Sequence, residues 1–503
     1  MKSSDTVLIG IDIGTTNLKF VAANPGGAVF AVVRRPMVVT RPAPHAADFD
    51  LDALRTNIHG GLKELADILG QQTAGKVAAI GVASIGESFV GLDREGMPLT
   101  SCPTWFDRRT SNRRDALGLT AAEWFDITGM VDDDIYTVHR MGWWLEHAPD
   151  LTAQVRHWAM VSDYIVYLLS GALVANPSLA ARSGLADRNS GQWSRTILDA
   201  TGTSLDVLPE LRPAATVSGY LTPEAANLTG LLAGTPVVNA GHDHPCAGLG
   251  CGLAEPGDVI DSAGTSEALK SVLDRPLDYS ATGGGQYDCY PHVVPGRFLL
   301  SGHTPASGGF IDWLTRLFLG QAPAKDAIEQ LWAEAAVVPA GARGVRILPF
   351  LEGTGAPWNN RPKRAGIDLL DAETDRATIM RAGLESLSAW LLINIKRFDT
   401  LAGVKPDRLI VTGGGARNPL ANSIKAAMTG LPLRMPQVEE TAGLGVALVA
   451  GLACGVFPNA IDAAALPDIS WLEFQPEREL VASYADLRSS MTAYLESEGS
   501  ADG

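Results

Sequence analysis

Three groups of residues in this chain have types and spacings that could do chemistry. The first is Asp243, flanked by His242 and His244 just after the apolar run 236–240, which reads as a strand. Carboxyl ends of strands are where open α/β sheets place reacting groups. A His-x-His pair on a strand would put both imidazoles on one face, as a metal-dependent hydrolase requires, with Asp243 turned away. In the alternative, Asp243 faces a cleft as a base and the two histidines shape it. The second group is Asp12 with Gly14-Thr15-Thr16, closing the apolar run 7–13. The third is a pair of further strand-to-turn junctions, Gly264-Thr265-Ser266 and Gly413-Gly414-Gly415-Ala416. Glycine lets a backbone approach an anion closely, and the hydroxyls add donors, so such turns suit the phosphates of a nucleotide. None is a Walker A loop or a GxGxxG fingerprint. Asp12 facing phosphates would be repelled unless a cation lay between, and this reading therefore calls for Mg²⁺.

The elements that must position these residues are legible in the hydrophobic pattern. Runs 7–13, 18–23 and 29–33 read as three hairpin-linked strands. Leu51, Leu54, Ile58, Leu62, Leu65 and Leu69 recur at helical spacing, and 77–83 follows as a buried strand. The order βββαβ implies a mixed sheet with helices packed on it, because a strand returning parallel needs a crossover. Val259-Ile260-Asp261-Ser262-Ala263-Gly264-Thr265-Ser266 then repeats the opening move about half a chain later. Leu384, Leu387, Leu391, Phe398 and Leu401 mark a long helix, and 409–412 a strand entering the third glycine turn. Two related α/β domains are expected, 1–237 and 238–503, with a nucleotide clasped between them. Segments 235–239 and 302–309 are candidate hinges for closure.

Composition bounds the partners. At 503 residues, 46% hydrophobic and 19% charged, the chain is large enough for two cores. A net charge of −16 argues against a nucleic-acid partner, whose binding rests on Lys and Arg. The five cysteines are scattered without a CxxC pair, as expected of a reduced cytoplasmic protein. The polar start of the chain does not read as a signal peptide. The most apolar stretch, 444–457, is shorter than the ~20 residues that cross a bilayer and reads as a buried helix, so no membrane partner is expected.

Taken in order, the motifs resemble those of the FGGY carbohydrate kinases, members of the actin-like ATPase superfamily. The likeness rests on Asp12-Ile13-Gly14-Thr15-Thr16 with Lys19, on Trp105-Phe106-Asp107-Arg108-Arg109-Thr110, and on Gly241 to Gly252 with Asp243. It continues through Ala263-Gly264-Thr265-Ser266, Ser307-Gly308-Gly309 with Trp313, Pro349 to Trp358, and Gly413-Gly414-Gly415-Ala416 with Asn418. The resemblance implies two actin-like (ribonuclease H-like) domains of mixed sheets flanked by helices, an interdomain cleft, and phosphorylation of a sugar or polyol hydroxyl by ATP with Mg²⁺. It places Asp243 as catalytic base and, with Asp12, on the metal side. Thr15, Thr16 and Lys19 fall on the first phosphate loop, and Gly264 and Thr265 on the second. Gly308, Gly309, Gly414, Gly415, Ala416 and Asn418 fall around the nucleotide, and Glu87, Trp105 and His244 on the acceptor side. A homodimer is compatible with the resemblance. His242 and His244 stand where pentulose kinases often carry Gly and Asn, which sets this chain apart from a plain xylulokinase pattern. Taken as an unpaired carboxylate, Glu87 favours neutral ketoses or polyols over sugar acids, unless Arg108, Arg109 or Arg140 turns inward. The rival functions are an actin-like ATPase switch without a sugar substrate and the His-x-His hydrolase.

Overall fold

The computed structural model describes residues 6–74, 76–110 and 117–500, and the polar start read above lies outside them. Strands β1 (Val7–Ile13), β2 (Asn17–Ala23) and β3 (Val29–Pro36) form the expected meander. Helix α1 (Leu51–Ala74) crosses over to β4 (Val77–Ser84). An insertion carrying α2 (Thr137–His147) and α3 (Pro177–Ser183) leads to β5 (Gly219–Tyr220) and β6 (Pro236–His242). The sheet order is β5-β6-β4-β1-β2-β3, with β1 antiparallel to β2 and parallel to β4, and β4 parallel to β6. On one face Leu54, Ile58, Leu62 and Leu65 of α1 bury against Ile9, Ile11 and Phe20. That face accounts for the helical stripe in the sequence.

Helix α4 (Asp243–Leu249) starts where β6 ends, and a second sheet follows. Its strands are β7 (Val259–Ala263), β8 (Glu267–Leu273), β9 (Asp288–Pro291), β10 (Phe298–Thr304), β11 (Leu409–Thr412), β12 (Leu433–Pro436) and β13 (Trp471–Phe474). They lie in the order β9-β10-β8-β7-β11-β12-β13. β7 is antiparallel to β8 and parallel to β11, β8 is antiparallel to β10, and β11 is parallel to β12. The five strands β10-β8-β7-β11-β12 thus repeat β3-β2-β1-β4-β6 in order and direction. The short sequence repeat is a repeat of topology.

Two expectations about the division of the chain need correction. The cut at 237/238 falls inside β6, whose Val237, Val238 and Asn239 pair with Ile80, Gly81 and Val82 of β4. The segment 235–239 therefore includes interior strand of the first sheet rather than a free hinge. Helices α5 (Gly308–Leu319), α6 (Arg376–Ala402) and α7 (Pro419–Thr429) belong with the second sheet, but α8 (Thr441–Ala453) does not. It buries Leu444, Val446, Ala447 and Leu448 against Leu8, Ala79, Val238 and Ala240 of the first sheet. The approach is backbone to backbone: a Cβ on Gly10 would fall 1.9 Å from the Gly443 carbonyl oxygen. The apolar stretch 444–457 is mostly this buried helix, and among the described residues no helix is long and apolar enough to cross a membrane.

Candidate active site

Asp12 and Asp243 come to the same end of the first sheet. Asp12 lies opposite Ala83 of β4, and His242 lies opposite Ser84 one residue further on. A buried polar network fixes β6: Asn239 Nδ2 donates to Asp163 Oδ1 (2.7 Å) and Val174 O (2.9 Å), and Asn239 O accepts from Asn176 Nδ2 (2.9 Å). The strand bulges between Asn239 and Gly241, where φ is +90° and a Cβ would lie 2.2 Å from Ser178 Oγ. Only glycine fits there.

Because α4 begins at Asp243, the strand alternation ends before it can align the two histidines. Their rings stack instead, with centroids 5.1 Å apart and planes at 16°, so the in-plane lone pairs run side by side rather than meeting on one metal. His242 is buried, its Nε2 lies 3.2 Å from Asp243 Oδ1 without hydrogen-bond alignment, and burial, reinforced by His244, holds it neutral. Among the described residues no cluster of three or more His, Cys, Asp or Glu has a metal-holding arrangement.

The Asp243 side chain is 15% exposed. Burial, together with the nearby Asp12 charge, raises its carboxyl to about 8, against the pull of the His244 backbone N–H. Asp12 is also raised, chiefly by burial, with Lys19 opposing. Lys19 Nζ lies 3.4 Å from Asp12 Oδ2 and 3.0 Å from Glu440 Oε2, while Asp12 Oδ1 is buried and has no partner. A buried unpaired carboxylate oxygen beside a second carboxylate is a donor set that a hard divalent cation fits.

Glu87 and Trp105, read from the resemblance as acceptor-side residues, lie in the insertion, and the Glu87 charge acts on Asp243. Glu87 is buried, with φ at +63°, and it is not unpaired as the sequence suggested. Arg182 of α3 donates from Nε to Glu87 Oε1 (2.6 Å) and reaches Asp288 Oδ2 on β9 (3.3 Å), with its guanidinium 5.3 Å from the Tyr136 ring centre. The charge that pairs Glu87 thus comes from an arginine outside the three considered, and it ties the insertion to the second sheet. Arg109 is committed to Asp107 (2.9 Å) and Asp48. Arg140 of α2 is fully buried and donates from Nη2 to Trp105 O (2.6 Å), leaving Nε and Nη1 without partners. Trp105 is 42% exposed, and its indole N–H donates to Thr15 Oγ1 (3.0 Å), which carries the ring to the first phosphate-type turn. His244 and His303 both touch solvent, as expected of a water-filled cleft.

The remaining turns converge in the second half. The N–H groups of Gly308 and Gly309 donate to Gly264 O (3.0 Å) and Thr265 O (2.9 Å), seating the start of α5 on the exposed Gly264-Thr265 turn. Ser262 pairs with Thr412, which brings the Gly413 to Ala416 turn alongside. Two of the sequence candidates have structural duties here. The Ala416 side chain is buried in the core, and Asn418 Oδ1 accepts from Ala421 N (3.1 Å) to cap α7. Because Ala416 O accepts from Asn422 Nδ2 (2.7 Å), only the Ala416 backbone N–H and the Asn418 amide N–H₂ are left to meet a ligand. Beneath these turns Lys425 bonds Asp261 and, at 3.0 Å, Glu267, whose other oxygen accepts from Ser307 Oγ (2.5 Å). Arg182, Asp288, Lys270 and Lys425 were not foreseen. Lys270 alone left a signal, a lysine at the centre of the short strand Glu267–Leu273.

With this geometry in place the relatives can be weighed. Family models for the N-terminal and C-terminal domains of the FGGY family of carbohydrate kinases match residues 7–250 and 260–454. The chain belongs to that family. An autoinducer-2 kinase of Yersinia enterocolitica is 28% identical over 513 aligned positions, covering 98% of this chain and 94% of its relative. Xylulose kinase from Rhodospirillum rubrum superposes with a TM-score of 0.89 at 26% identity, covering 98% of each chain. Plasmodium falciparum glycerol kinase with ADP, at 18% identity, shares the fold with a TM-score of 0.86 and covers 99% of each chain. This FGGY carbohydrate kinase is therefore a two-domain, actin-like phosphotransferase that uses ATP as phosphate donor.

Proposed function

We propose that the chain transfers the γ-phosphoryl group of ATP to a hydroxyl of a small neutral sugar, a ketose or a polyol, with Asp243 as general base. The observation that carries this reading is the position of Asp243. It is held at the start of α4 by the β6 network, with Glu87 and Asp12 close enough to raise its carboxyl. A carboxyl raised that far is a base strong enough to matter near neutral pH. As the acceptor oxygen forms its bond to phosphorus, the bond from phosphorus to the ADP oxygen breaks and the acceptor proton passes to Asp243. Positioning and charge stabilisation supply most of the rate in such transfers.

Thr15, Thr16 and Lys19 on one side, and the Thr265 amide of the Gly264-Thr265 turn on the other, would hold phosphates. Gly308, Gly309, Gly414, Gly415, Ala416 and Asn418 border the rest of the nucleotide. Asp12, with its unpaired buried oxygen, and Asp243 would hold Mg²⁺, which supplies neutralisation of the β- and γ-phosphate charge. Glu87, Trp105 and His244 face the acceptor. A neutral acceptor stays favoured because Asp12, Asp243 and the nucleotide phosphates gather negative charge where the transfer takes place. The five cysteines, all free thiols, support a reducing, cytoplasmic setting.

The test is an ADP-release screen with MgATP over ketoses, polyols and aldonates of three to seven carbons. Xylulose and autoinducer-2, the acceptors named by relatives, come first. Acceptor-dependent ADP release is expected. ATP binding with no stimulation by any acceptor would refute the reading.

A further inference from the structure

We propose that Lys270 is an acceptor-recognition residue, donating from its ammonium to the carbonyl oxygen of a ketose-type acceptor and so selecting ketoses over the matching polyols. The inference rests on the phosphotransfer reading above and adds the residue that discriminates between its two acceptor classes.

Strand β8 has two faces. Leu269 and Leu273 point into the core with Leu300 and Cys289. Lys270 points the other way, level with Ser301 of β10, while Ala268 on the same face lies opposite His303 and Ser301 lies opposite Asp288 of β9. This is the face that the first half of the chain covers. Arg182 reaches it at Asp288, and the Tyr290 hydroxyl lies 3.5 Å from His242 Nδ1. Lys270 therefore stands on the wall of the cleft opposite the β6–α4 corner, close enough for its charge to act on Asp243, His242 and His244.

Lys270 is only 3% exposed, yet it makes no hydrogen bond or ion pair with any described residue. The other lysines of the cleft are matched, Lys19 by Asp12 and Glu440, and Lys425 by Asp261 and Glu267. The side chain is enclosed while its ammonium opens to the cleft, where a ligand oxygen can serve as its partner. The choice of oxygen follows from donor counting. Lysine has three N–H groups and no acceptor, so its natural complement is an oxygen that only accepts. A carbonyl does so outright, whereas a hydroxyl must place its own proton on a further group. A carboxylate would also accept, but it would face Asp243, Asp12 and the nucleotide phosphates with Arg182 already engaged. The acceptor carbonyl thus belongs on the β8 side and the reacting hydroxyl on the Asp243 side.

The experiment compares D-xylulose with xylitol, its reduced counterpart, and with gluconate as the anionic arm, in wild type, Lys270→Met and Lys270→Arg. In turnover, wild type prefers xylulose. Lys270→Met raises the xylulose KM at least tenfold, leaves the ATP KM within twofold, and brings the xylulose-to-xylitol ratio of kcat/KM towards one, while Lys270→Arg recovers part of the loss. Calorimetric binding of the same three compounds, without ATP, reads the lysine independently of turnover, and unchanged ATP affinity certifies that each variant is folded. An unchanged ratio in Lys270→Met, a wild-type preference for xylitol or gluconate, or no acceptor binding to wild type overturns the proposal. Xylulose binding that depends on Lys270 without any phosphoryl transfer would sustain the recognition role and sink the phosphotransfer reading.

Discussion

Replacing Asp243 by asparagine separates a catalytic carboxylate from a structural one, because the two roles predict opposite changes. A positioned general base contributes about 10²–10⁴ in rate, or about 2.7–5.5 kcal/mol of barrier. The neighbouring group best placed to substitute is His244, which borders the same cleft. The nearby Lys270 charge holds its imidazole well below its usual range, which makes it a poor proton acceptor. The loss should therefore lie in the upper half of that range, leaving about 0.1% of kcat or less. Stability should move the other way. The carboxylate is disfavoured where it stands, as the rise to about 8 shows, so an uncharged amide of the same shape removes a penalty at neutral pH. Initial rates of ADP release at saturating MgATP, ATP affinity by calorimetry and a thermal melt at one scan rate read all three quantities. A variant keeping more than about 5% of kcat would refute the base assignment, since no positioned base is worth so little. One that melts earlier and binds ATP poorly would show that Asp243 holds the fold instead.

Asp12→Asn is expected to raise the Mg²⁺ concentration needed for half-maximal turnover at least fivefold while metal-free ATP binding stays within threefold; equal Mg²⁺ dependence would remove Asp12 from the metal side. Glu87→Gln leaves Arg182 with Asp288 alone at 3.3 Å. It should cost about 3 kcal/mol in urea unfolding and raise the acceptor KM at least tenfold with the ATP KM unchanged, whereas parallel changes in both KM values would argue against an acceptor role. Asp163 gives a pH test away from the cleft, since burial raises its carboxyl to about 7. Between pH 4 and 7 the native state then holds a proton that the unfolded state has lost, so stability falls as pH rises, by up to about 4 kcal/mol, and levels off above. Asp163→Asn should flatten that limb in denaturation curves, and an identical slope in the variant would exclude Asp163 as its source.

How far the sequence carried depended on whether a residue's partners are near it in the chain. The β1–β2–β3 meander, the α1 stripe and the β7–β8 repeat were readable because their periodicity is local. The glycine turns were readable because a turn at a strand end constrains its own backbone. The Glu87–Arg182–Asp288 chain was not, because its members are scattered over about 200 positions and meet only when the insertion folds against β9. The sequence therefore left Glu87 looking unpaired. The division at 237/238 failed for a related reason: β6 is apolar on its own account, and nothing within it says which sheet supplies its neighbour. The stretch 444–457 showed that a buried helix was present, but the glycine faces that seat α8 on β1 become visible only when Gly10 and Gly443 are set against each other.

The duplicated topology also sets Asp12, proposed above for the metal side, against a counterpart in the second half. Asp12 on β1 and Asp261 on β7 stand at related positions near the ends of equivalent strands, each with a lysine close by. Their surroundings have diverged. Asp261 is fully buried beside Glu267, Lys425 and Ser307, and burial and Glu267 push its carboxyl far up while Glu267 remains ionised. Asp261 Oδ1 is buried without a hydrogen-bond partner, as Asp12 Oδ1 is, but a carboxyl pushed that far up holds its proton and does not suit a cation. At Asp12 the lysine is shared with Glu440 and held at 3.4 Å, and one carboxylate oxygen stays unpaired. Glu440 immediately precedes α8, the helix that the second half sends across to the first sheet. Glu440 thus shares Lys19 with Asp12, and the carboxylate that is neutralised in one repeat is the one proposed above to meet a cation in the other.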